Sequence, residues 1–445
     1  MFGVIYLNRL VIKKYLKYFI SFFIVFFLTF IIAYVNSTFD CDDIWLFGFT
    51  SNLSNGLMIY RDFNVVTTPL YYFIGVIFLN LFGNSLIYLD VFNALIITLI
   101  VFLAFRIIKW KAVIIWLFLL CFHPNGYNLF SLFFLFIVIL FINNNDDSLF
   151  KVGLVLGLLF INKQNIGLLL FIPYLIYSNN KVKSLLIFIF PMVLLSIYLI
   201  LNNAFYEFID YCFLGLFDFA SKNSYLSVSV LIVEIIFLIY LFRVWWKDKF
   251  KNKEVFYIIM FQFALFPLAN EPHFYCVFVP VLYLFLKRSN NFYVLFAVFC
   301  FCFYCCIDWC CSKNNELYLK NDIFYLKNPG EFPSQLEKLN NYIGNVDYYY
   351  FSGYHGYMYK LYYDVSINDY DLLLNGNVGY MGVNKRLEEI NQICNEEVCL
   401  FILDDYSNLM LNPQSQSYKF YSYVVKNYNQ VTSYDIFDIY TNYIE

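Results

Sequence analysis

Long apolar runs are the feature that most limits how this chain can fold. Residues 18–35 contain no charged side chain, and further apolar runs recur as far as residue 308 with short polar segments between them. A helix of about 20 apolar residues crosses a bilayer because its backbone satisfies its own hydrogen bonds there. Only 14% of the residues are charged, whereas a soluble domain averages about 25%. The sequence therefore predicts an α-helical polytopic membrane protein.

We expect about eleven transmembrane helices in the first 310 residues. The first apolar run has no small-residue cleavage site after it, which indicates an uncleaved span rather than a signal peptide. The predicted spans lie near residues 18–35, 86–105, 112–123, 127–142, 152–163, 165–177, 184–201, 226–244, 255–269, 273–286 and 291–308.

The basic residues indicate which way these spans point. If residues 69–82 form a shallow outer helix or a re-entrant segment, seventeen Lys and Arg residues fall in predicted cytoplasmic segments and three in short outer loops. Cytoplasmic loops are enriched in these residues. The pattern predicts a multi-pass cell-membrane protein with a cytoplasmic N-terminus and a tail outside the cytoplasm. The net charge of -3 and the lack of a basic stripe argue against nucleic acid as a partner.

The polar, tyrosine-rich tail of residues 311–445 predicts a small extracytoplasmic α/β domain after a transmembrane domain of residues 1–310. Cys394 and Cys399 either form a local disulfide, as an oxidising compartment allows, or stay free. One strand and two helices are predicted from apolar periodicity, at Val398–Leu403, Asn384–Ile393 and Ser417–Asn427.

Three aspartates, Asp40, Asp42 and Asp43, follow the first span in the outer segment 36–85. There they are hydrated, yet close enough to the membrane to meet a lipid-borne substrate. A structural interpretation is that they cap a helix starting near Asp42. The functional interpretation is a general base or an electrostatic anchor, because a carboxylate in a dry groove accepts a proton from a hydroxyl more readily. The sequence leaves both interpretations open.

Lys163 is the second candidate, because it interrupts an apolar run of about 25 residues, and an ionisable group in such a run is costly. Asn162, Gln164 and Asn165 stand beside it and can hydrogen-bond an anion. A compact ammonium group suits phosphate binding. The alternative is an outer turn whose lysine extends along the apolar surface to water.

Two further outer segments carry polar candidates. In the loop that begins at Gly56, Arg61 either clamps a phosphate or pairs with Asp62. His273 lies at the predicted start of an outer helix, two residues after Glu271. His123, which precedes a proline, is attributed to turn formation.

These segments, in this order, resemble C-type glycosyltransferases, which use polyprenyl-phosphate sugars. The similarity is to bacterial relatives of protein O-mannosyltransferases and lipid A aminoarabinose transferases, and it covers roughly residues 1–310. Asp43 stands where those families have Glu, and Thr68 where they have Pro. The matching positions are Asp42-Asp43, Gly56, Tyr60-Arg61-Asp62-Phe63, Pro69-Leu70-Tyr71-Tyr72, Phe82-Gly83, Gly153, Gly157 and Lys163.

The resemblance implies transfer of a sugar from a polyprenyl-phosphate donor to a cell-envelope glycan, lipid or protein, with inversion at the anomeric carbon. It implies no cofactor, although a divalent metal between the aspartates stays open. The implied roles are a catalytic base among Asp42, Asp43 and Asp40, donor phosphate binding, and acceptor or groove contacts. Phosphate binding falls to Lys163, Arg61 and His273. Groove contacts fall to Tyr60, Asp62, Tyr71, Tyr72, Gln164 and Glu271.

Two other classes remain as alternatives. A transporter or lipid-handling protein would use charges such as Lys163 and Glu234 to line a path. Against this, the polar groups gather at one face and no internal repeat is visible. The third class is a scaffold without catalysis whose tail binds a partner.

Overall fold

The computed structural model describes residues 2–36, 41–83, 86–122, 126–144, 148–217, 227–266, 271–312, 318–320, 324–326, 339–340, 348–352, 369–370, 378–404, 413–434 and 437–442. Within these residues the chain is mostly helical. Strands occur only after residue 312, so the two kinds of secondary structure divide the described chain into a helical bundle and a mixed C-terminal region.

Apolar helices make up the bundle. Each of the eleven spans predicted from the sequence overlaps one of them. The helices are α1 (Phe2–Asn36), α2 (Cys41–Ser54), α3 (Leu70–Phe82), α4 (Ile87–Ile108), α5 (Ala112–Cys121), α6 (Gly126–Asn143), α7 (Leu149–Phe160), α8 (Gln164–Tyr177), α9 (Lys181–Leu201), α10 (Phe205–Ile209), α11 (Val228–Lys247), α12 (Lys253–Gln262), α13 (Glu271–Arg288) and α14 (Phe292–Ser312).

Among the described residues, five helical segments are long and apolar enough to cross a membrane. Four further apolar segments are shorter, namely Leu70–Phe82, Leu149–Phe160, Gln164–Tyr177 and Phe292–Cys305. The five segments are Leu16–Tyr34, Ile87–Cys121, Gly126–Asn143, Lys181–Leu201 and Val228–Lys247.

Local side-chain chemistry fixes where several helices begin. Ser148 accepts a hydrogen bond from the backbone N–H of Lys151 at the start of α7, and Asn180 accepts one from Lys183 at the start of α9. Such caps satisfy backbone donors that have no partner inside the helix. The bundle therefore turns at polar residues that interrupt the apolar runs.

Glycines let α7 approach its neighbours closely. A Cβ atom at Gly157 would overlap the backbone oxygen of Phe188 in α9, and one at Gly167 in α8 would overlap the backbone of Phe160. At Gly153 a Cβ would meet the hydroxyl of Tyr174. The glycine spacing in this segment thus has a packing cause, and it holds the end of α7 that leads into Lys163 against two helices.

One end of the bundle collects cations, and we call it the lysine-rich end, defined by Lys111, Lys181, Lys253, Lys287 and Arg288. There the ammonium of Lys111 donates to the carbonyl oxygens of Leu286 and Ser289, at 2.9 and 2.6 Å. Helices α6, α8 and α13 all end near this face. They begin at the opposite end, which we call the Lys163 end.

The C-terminal region contains a five-stranded mixed sheet. A two-stranded pair, β1 (Tyr318–Lys320) and β2 (Phe324–Leu326), precedes it. The strands of the sheet are β3 (Tyr348–Phe351), β4 (Asp369–Tyr370), β5 (Cys399–Asp404), β6 (Asn429–Tyr434) and β7 (Phe437–Thr441). Their order is β4-β3-β5-β7-β6, with β3 parallel to both β4 and β5, and β7 antiparallel to β5 and β6.

Two helices, α15 (Gly382–Glu396) and α16 (Gln416–Asn427), cover one face of this sheet. Phe401 and Leu403 of β5 share a core with Phe420 of α16, while the alternate residues Leu400 and Ile402 join the core that runs through the bundle. This alternation is the two-residue period of a strand buried on both faces. A disulfide joins Cys394 of α15 to Cys399 of β5, which settles the alternative that the sequence left open.

Candidate functional site

Lys163 lies in the turn between α7 and α8 at one end of the bundle. Its side chain is buried, with 8% of the residue exposed. The ammonium donates a short hydrogen bond to Oδ1 of Asn128 and lies 5.0 Å from the centre of the Tyr127 ring. Because it is enclosed, the interpretation of a surface lysine reaching out to water is wrong.

Two buried amides flank this ammonium with hydrogen-bonding capacity left over. Asn162 donates to the carbonyl of Tyr127 at 3.0 Å and to the hydroxyl of Ser131 at 2.9 Å. Within the part of the chain that the structure describes, Oδ1 of Asn162 and Nδ2 of Asn128 have no hydrogen-bond partner. Buried polar atoms nearly always have one. Nδ2 of Asn128 is therefore a buried donor whose hydrogen bond the described residues do not supply.

Helix α2 brings the aspartate segment to this end of the bundle. Asp42 and Asp43 lie in its first turn, but their side chains, like Asp40 as a whole, lie outside the described residues. Leu46, one turn further along, packs against Gly126, where a Cβ would approach its side chain to 2.9 Å. Gly126 begins α6, which carries Tyr127 and Asn128. The first turn of α2 and Lys163 thus flank the start of the same helix.

The loop of residues 55–69 is tied to the turn that holds Lys163. Leu70 donates its backbone N–H to the carbonyl of Ile161 at 2.9 Å, and the Thr68 hydroxyl donates to the carbonyl of Phe160 at 3.0 Å. Gln164 donates to the carbonyls of Val66 and Cys212, at 3.2 and 3.0 Å. Gln164 therefore acts as a bridge between this loop and the segment after α9.

Three tyrosines set the shape of the loop. Tyr60 is fully buried, has a φ of 71°, and donates its hydroxyl to the carbonyl of Thr67 at 2.8 Å. The hydroxyls of Tyr72 and Thr67 are 2.7 Å apart, and the hydroxyl end of Tyr71 packs against Gly126, where a Cβ would overlap it. Burial raises the pKa of Tyr60 well above its ordinary value of 10.0. Tyr60 is thus a neutral structural group.

Arg61 and Asp62 form an ion pair at the surface of this loop. The guanidinium donates twice to the carboxylate, at 2.7 and 2.8 Å, and reaches the carbonyl of Asn202 at 3.4 Å. The hydrogen bond from Arg61 lowers the pKa of Asp62, which also accepts the backbone N–H of Met58. The arginine keeps 45% of its side chain exposed, so it remains reachable by a ligand.

Helix α13 starts beside the same cluster. Cys276 donates its thiol to the carbonyl of Asn128 at 3.6 Å, and Lys163 is close enough to act electrostatically on both Cys276 and His273. Glu271 is the first residue of this helix, and its side chain lies outside the described residues, as does His123. The structure therefore places His273 within the electrostatic influence of Lys163, while Arg61 pairs with Asp62 at the surface of the loop.

The C-terminal region contacts this end of the bundle through Asp210. This carboxylate is 2% exposed and accepts the backbone N–H groups of Tyr380 and Met381, at 2.9 and 3.0 Å. It starts a π-helical turn, Asp210–Leu214. A second contact is the ion pair between Lys385 and Glu207, at 3.2 Å. Asp210 therefore anchors, from the bundle, the backbone that leads into α15.

Neither a protein-family model nor a curated protein matches the sequence. The crystal structure of ArnT from Cupriavidus metallidurans bound to undecaprenyl phosphate matches with a TM-score of 0.59 at 10% identity, covering 96% of this chain and 98% of that one. The apo state of ArnT matches with a TM-score of 0.56 at 10% identity, covering 97% and 98%. The chain has the ArnT fold.

The resemblance inferred from sequence motifs is thereby confirmed for the fold. The likeness to ArnT runs through nearly the whole of both chains, so it includes the C-terminal region and not only the motif-bearing residues 1–310. At 10% identity the match concerns the course of the backbone and leaves each side chain to be argued from its own contacts.

Three residues of this ArnT-like fold were missed by the motif argument. Tyr127 and Asn128 hold Lys163 but precede it by 35 residues or more. Asp210 is separated by 170 residues from the N–H of Tyr380 that it accepts. The polar run around Asn128, between two apolar runs at the same predicted outer end, was the signal available. For Asp210 the sequence offered only its place in an outer loop.

The described residues contain no group of three or more His, Cys, Asp or Glu side chains that could hold a metal ion. The side chains of the three aspartates after α1 lie outside those residues. The chemistry that the described site offers is therefore positive charge and hydrogen-bond donation around Lys163, next to an ordered loop.

Proposed function

We propose that the protein is an integral-membrane glycosyltransferase that moves a sugar from a polyprenyl-phosphate donor to an acceptor outside the cytoplasm. The acceptor class is a cell-envelope glycan, lipid or protein. The fold supports this proposal, because ArnT has it and was crystallised with undecaprenyl phosphate. The motif resemblance supports it independently.

The observation that carries the proposal is the pairing of a buried ammonium with a buried amide donor. The ammonium of Lys163 is bonded to the side-chain amide of Asn128, whose Nδ2 is itself a hydrogen-bond donor. A phosphate offers several acceptor oxygens and negative charge, and hydrogen bonds between charged groups are the strong ones. His273 lies close enough to add to the same electrostatic environment. A lipid phosphate head group fits this chemistry.

The proposed mechanism is a single displacement at the anomeric carbon, which inverts its configuration. The acceptor hydroxyl gives its proton to Asp42, oriented by Asp43 or Asp40, as its oxygen bonds to the sugar. The bond to the donor oxygen breaks, and polyprenyl phosphate leaves with an added negative charge. Lys163, with Arg61 and His273, stabilises that charge where it develops.

The remaining candidate residues shape the groove that holds the reactants. Tyr60, Tyr71 and Tyr72 fix the loop, and Gln164 joins it to the segment after α9. Asp62 positions Arg61, and Glu271 contributes a groove contact from the start of α13. Holding donor and acceptor in register is itself a large part of catalysis in such a reaction.

We also propose the membrane arrangement that this reaction requires. The chain crosses the membrane about eleven times, with residues 1–310 as the transmembrane domain and 311–445 as an extracytoplasmic α/β domain. The Lys163 end faces outward and the lysine-rich end faces the cytoplasm. The Cys394–Cys399 disulfide supports an oxidising location for the tail.

The test is binding of undecaprenyl phosphate to the purified full-length protein. We expect Lys163→Met to raise the dissociation constant at least about tenfold, because the lost interaction is a charged hydrogen bond in a buried site, worth about 1.5–3 kcal/mol. Asn128→Leu should raise it by a smaller factor.

The matched control is Lys111→Met, which removes an ammonium bonded to carbonyl oxygens at the other end of the bundle. It should bind undecaprenyl phosphate as the unaltered protein does. An equal loss of affinity for undecaprenyl phosphate in Lys163→Met and Lys111→Met would contradict the assignment of the phosphate site to Lys163. No binding by the unaltered protein would contradict the proposed function itself.

A further inference from the structure

Glu234 is a buried carboxyl group that the proposed sugar transfer does not use. It lies in α11, one of the five segments that are long and apolar enough to cross a membrane. Only 1% of the residue is exposed, and neither of its carboxyl oxygens has a hydrogen-bond partner among the described residues. Buried polar atoms nearly always have a partner. Because an ionisable side chain inside a membrane span is costly, its presence there indicates a role.

The face of α11 that carries Glu234 packs against the start of α13. Phe237, on the same face, stacks on Phe274 and Phe278 of α13, with ring centres 5.9 and 5.2 Å apart. The two helices run in parallel, because Arg288 at the end of α13 donates to Asp248 just after the end of α11. Glu234 precedes Phe237 by about one turn. It is therefore level with the first turn of α13.

No charged partner compensates Glu234 within the part of the chain that the structure describes. Neither charge nor hydrogen bonding from a described residue acts on its titration. Near its level, α13 carries three titratable residues, namely Glu271, His273 and Tyr275. The side chain of Glu271 lies outside the described residues. The other charged residues of α11 and α12 lie toward the lysine-rich end, and they are Arg243, Lys247, Lys253 and Glu254.

Glu254 provides a comparison within the same protein. It is also buried, with 3% of the residue exposed, but its oxygens accept hydrogen bonds from Lys287, Tyr283 and Asn143. Such partners offset the loss of hydration of a carboxylate, and without them the ionised form costs much more to bury than the neutral acid. Glu234 has the burial of Glu254 without its partners. The folded state therefore favours the protonated form of Glu234.

We propose that Glu234 is a proton-binding site, and that its proton keeps α11 against the start of α13. When the carboxyl group gives its proton to water, the resulting carboxylate must become hydrated, which requires α11 to part from α13. The contact of Phe237 with Phe274 is then lost. Because His273 precedes Phe274 in α13, the opening displaces a residue beside Lys163. The pH thus controls one wall of the Lys163 end, independently of the proposed sugar transfer.

The direction of this pH dependence follows from the form that the closed contact favours. The closed contact holds the proton, so its stability is fully present at low pH. That stability is lost as the pH rises through the titration of Glu234 in the folded protein.

Infrared spectroscopy of the full-length protein in detergent tests the proton directly, because a protonated carboxyl group has a carbonyl stretching band that a carboxylate lacks. At about pH 6 an ordinary glutamate is ionised. We expect the band to lose the absorbance of one acid group in Glu234→Gln at that pH. The matched control is Glu254→Gln, which removes a carboxylate paired with Lys287 and should leave the band unchanged.

Hydrogen exchange at residues 271–278 tests the coupling to α13. Comparing the unaltered protein with Glu234→Gln at the same pH cancels the intrinsic pH dependence of exchange. From about pH 6 to about pH 9, exchange should accelerate in the unaltered protein relative to Glu234→Gln. The acceleration should reach up to about tenfold per pH unit, because one proton is released. Glu234→Leu, which has no ionisable group, should behave as Glu234→Gln does.

Two results would overturn the proposal. An acid band unchanged in Glu234→Gln, or weakened equally in Glu254→Gln, would show that Glu234 does not differ from the paired carboxylate. The same pH dependence of exchange in the unaltered protein, Glu234→Gln and Glu234→Leu would show that the proton does not hold α11 against α13.

Discussion

Buried charged side chains have different partners at the two ends of the helical bundle. At the lysine-rich end, Glu254 is matched by Lys287 at 2.5 Å and by the hydroxyl of Tyr283 at 2.6 Å. At the other end, Lys163 contacts an amide oxygen and an aromatic ring, and Asp210 accepts backbone N–H groups from a distant segment.

The difference separates charges that stabilise the bundle from charges that position a site. A matched ion pair between helices fixes their packing and has little left to offer a ligand. The ammonium of Lys163 stands beside Nδ2 of Asn128, a buried donor without a partner among the described residues, and the carboxylate of Asp210 fixes where α15 docks. We therefore expect changes at the lysine-rich end to act on stability, and changes at the Lys163 end to act on ligand binding and docking.

Glu254→Gln should have the largest effect on stability. It leaves the Lys287 ammonium without its charged partner, and breaking a buried pair costs about 3–5 kcal/mol. Because Lys287 is 30% exposed, we expect a loss of about 2–3 kcal/mol, measured by thermal unfolding in detergent. Binding of undecaprenyl phosphate by the folded fraction should not change. A change in that binding without a change in stability would break the contrast between the two ends.

Gly379→Ala should come next, because two effects add. Gly379 has a φ of 74°, and a Cβ there would overlap the carboxylate of Asp210. We expect a cost of about 2 kcal/mol to the docking of α15, of which about 1 kcal/mol comes from backbone strain. The measurement is hydrogen exchange in the first turn of α15.

Gly56→Ala isolates the backbone contribution. Gly56 has a φ of 87°, but no atom lies within 4 Å of the position of its Cβ. It should cost about 1 kcal/mol and leave exchange in α15 unaltered. If both alanine variants had the same cost, contact with Asp210 would not matter for docking.

Asp210→Asn should weaken the same docking by about 1–2 kcal/mol, because an amide accepts from backbone N–H groups less strongly than a carboxylate does. Limited proteolysis between α14 and α15 should then become faster. Glu207→Gln removes the charged partner of Lys385, whose side chain is 66% exposed. It should therefore change the rate of proteolysis little. The reverse order of the two variants would contradict the role assigned to Asp210.

Acidification should have the smallest effect, through Asp62. Its pKa in the folded protein lies below the ordinary value of 3.8, so its contribution to stability is present above that pH and is lost as the pH falls further. The contribution is under about 1 kcal/mol, since Arg61 is partly exposed. Between about pH 5 and about pH 3, the unfolding temperature of the Asp62→Asn variant should fall less than that of the unaltered protein.

Local patterns were enough to predict many elements. The strand expected at Val398–Leu403 is β5 (Cys399–Asp404), and the helices expected at Asn384–Ile393 and Ser417–Asn427 are α15 and α16. These predictions succeed because apolar periodicity of 2 or 3.6 residues is a local property that burial of one face imposes.

The partners of the site residues were not predictable in the same way. Whether Lys163 reaches water or is buried depends on Asn128 and Tyr127, which the bundle brings to it from another helix. Arg61 had two open interpretations, and the structure shows its pairing with the adjacent Asp62. Asp210 acquires its role only when the C-terminal region docks. Contacts between distant parts of the chain depend on tertiary packing, which a motif does not contain.

The most direct test of the proposed reaction uses the purified protein in vesicles. The vesicles contain polyprenyl-phosphate sugars extracted from the membranes of cells that produce this protein. Mass spectrometry would follow the release of free polyprenyl phosphate. The account predicts release by the unaltered protein and a loss of at least about a hundredfold, typical of removing a general base, in Asp42→Asn with its fold intact. Release by Asp42→Asn at the unaltered rate would contradict the assignment of the catalytic base, and no release by the unaltered protein would contradict the proposed transfer.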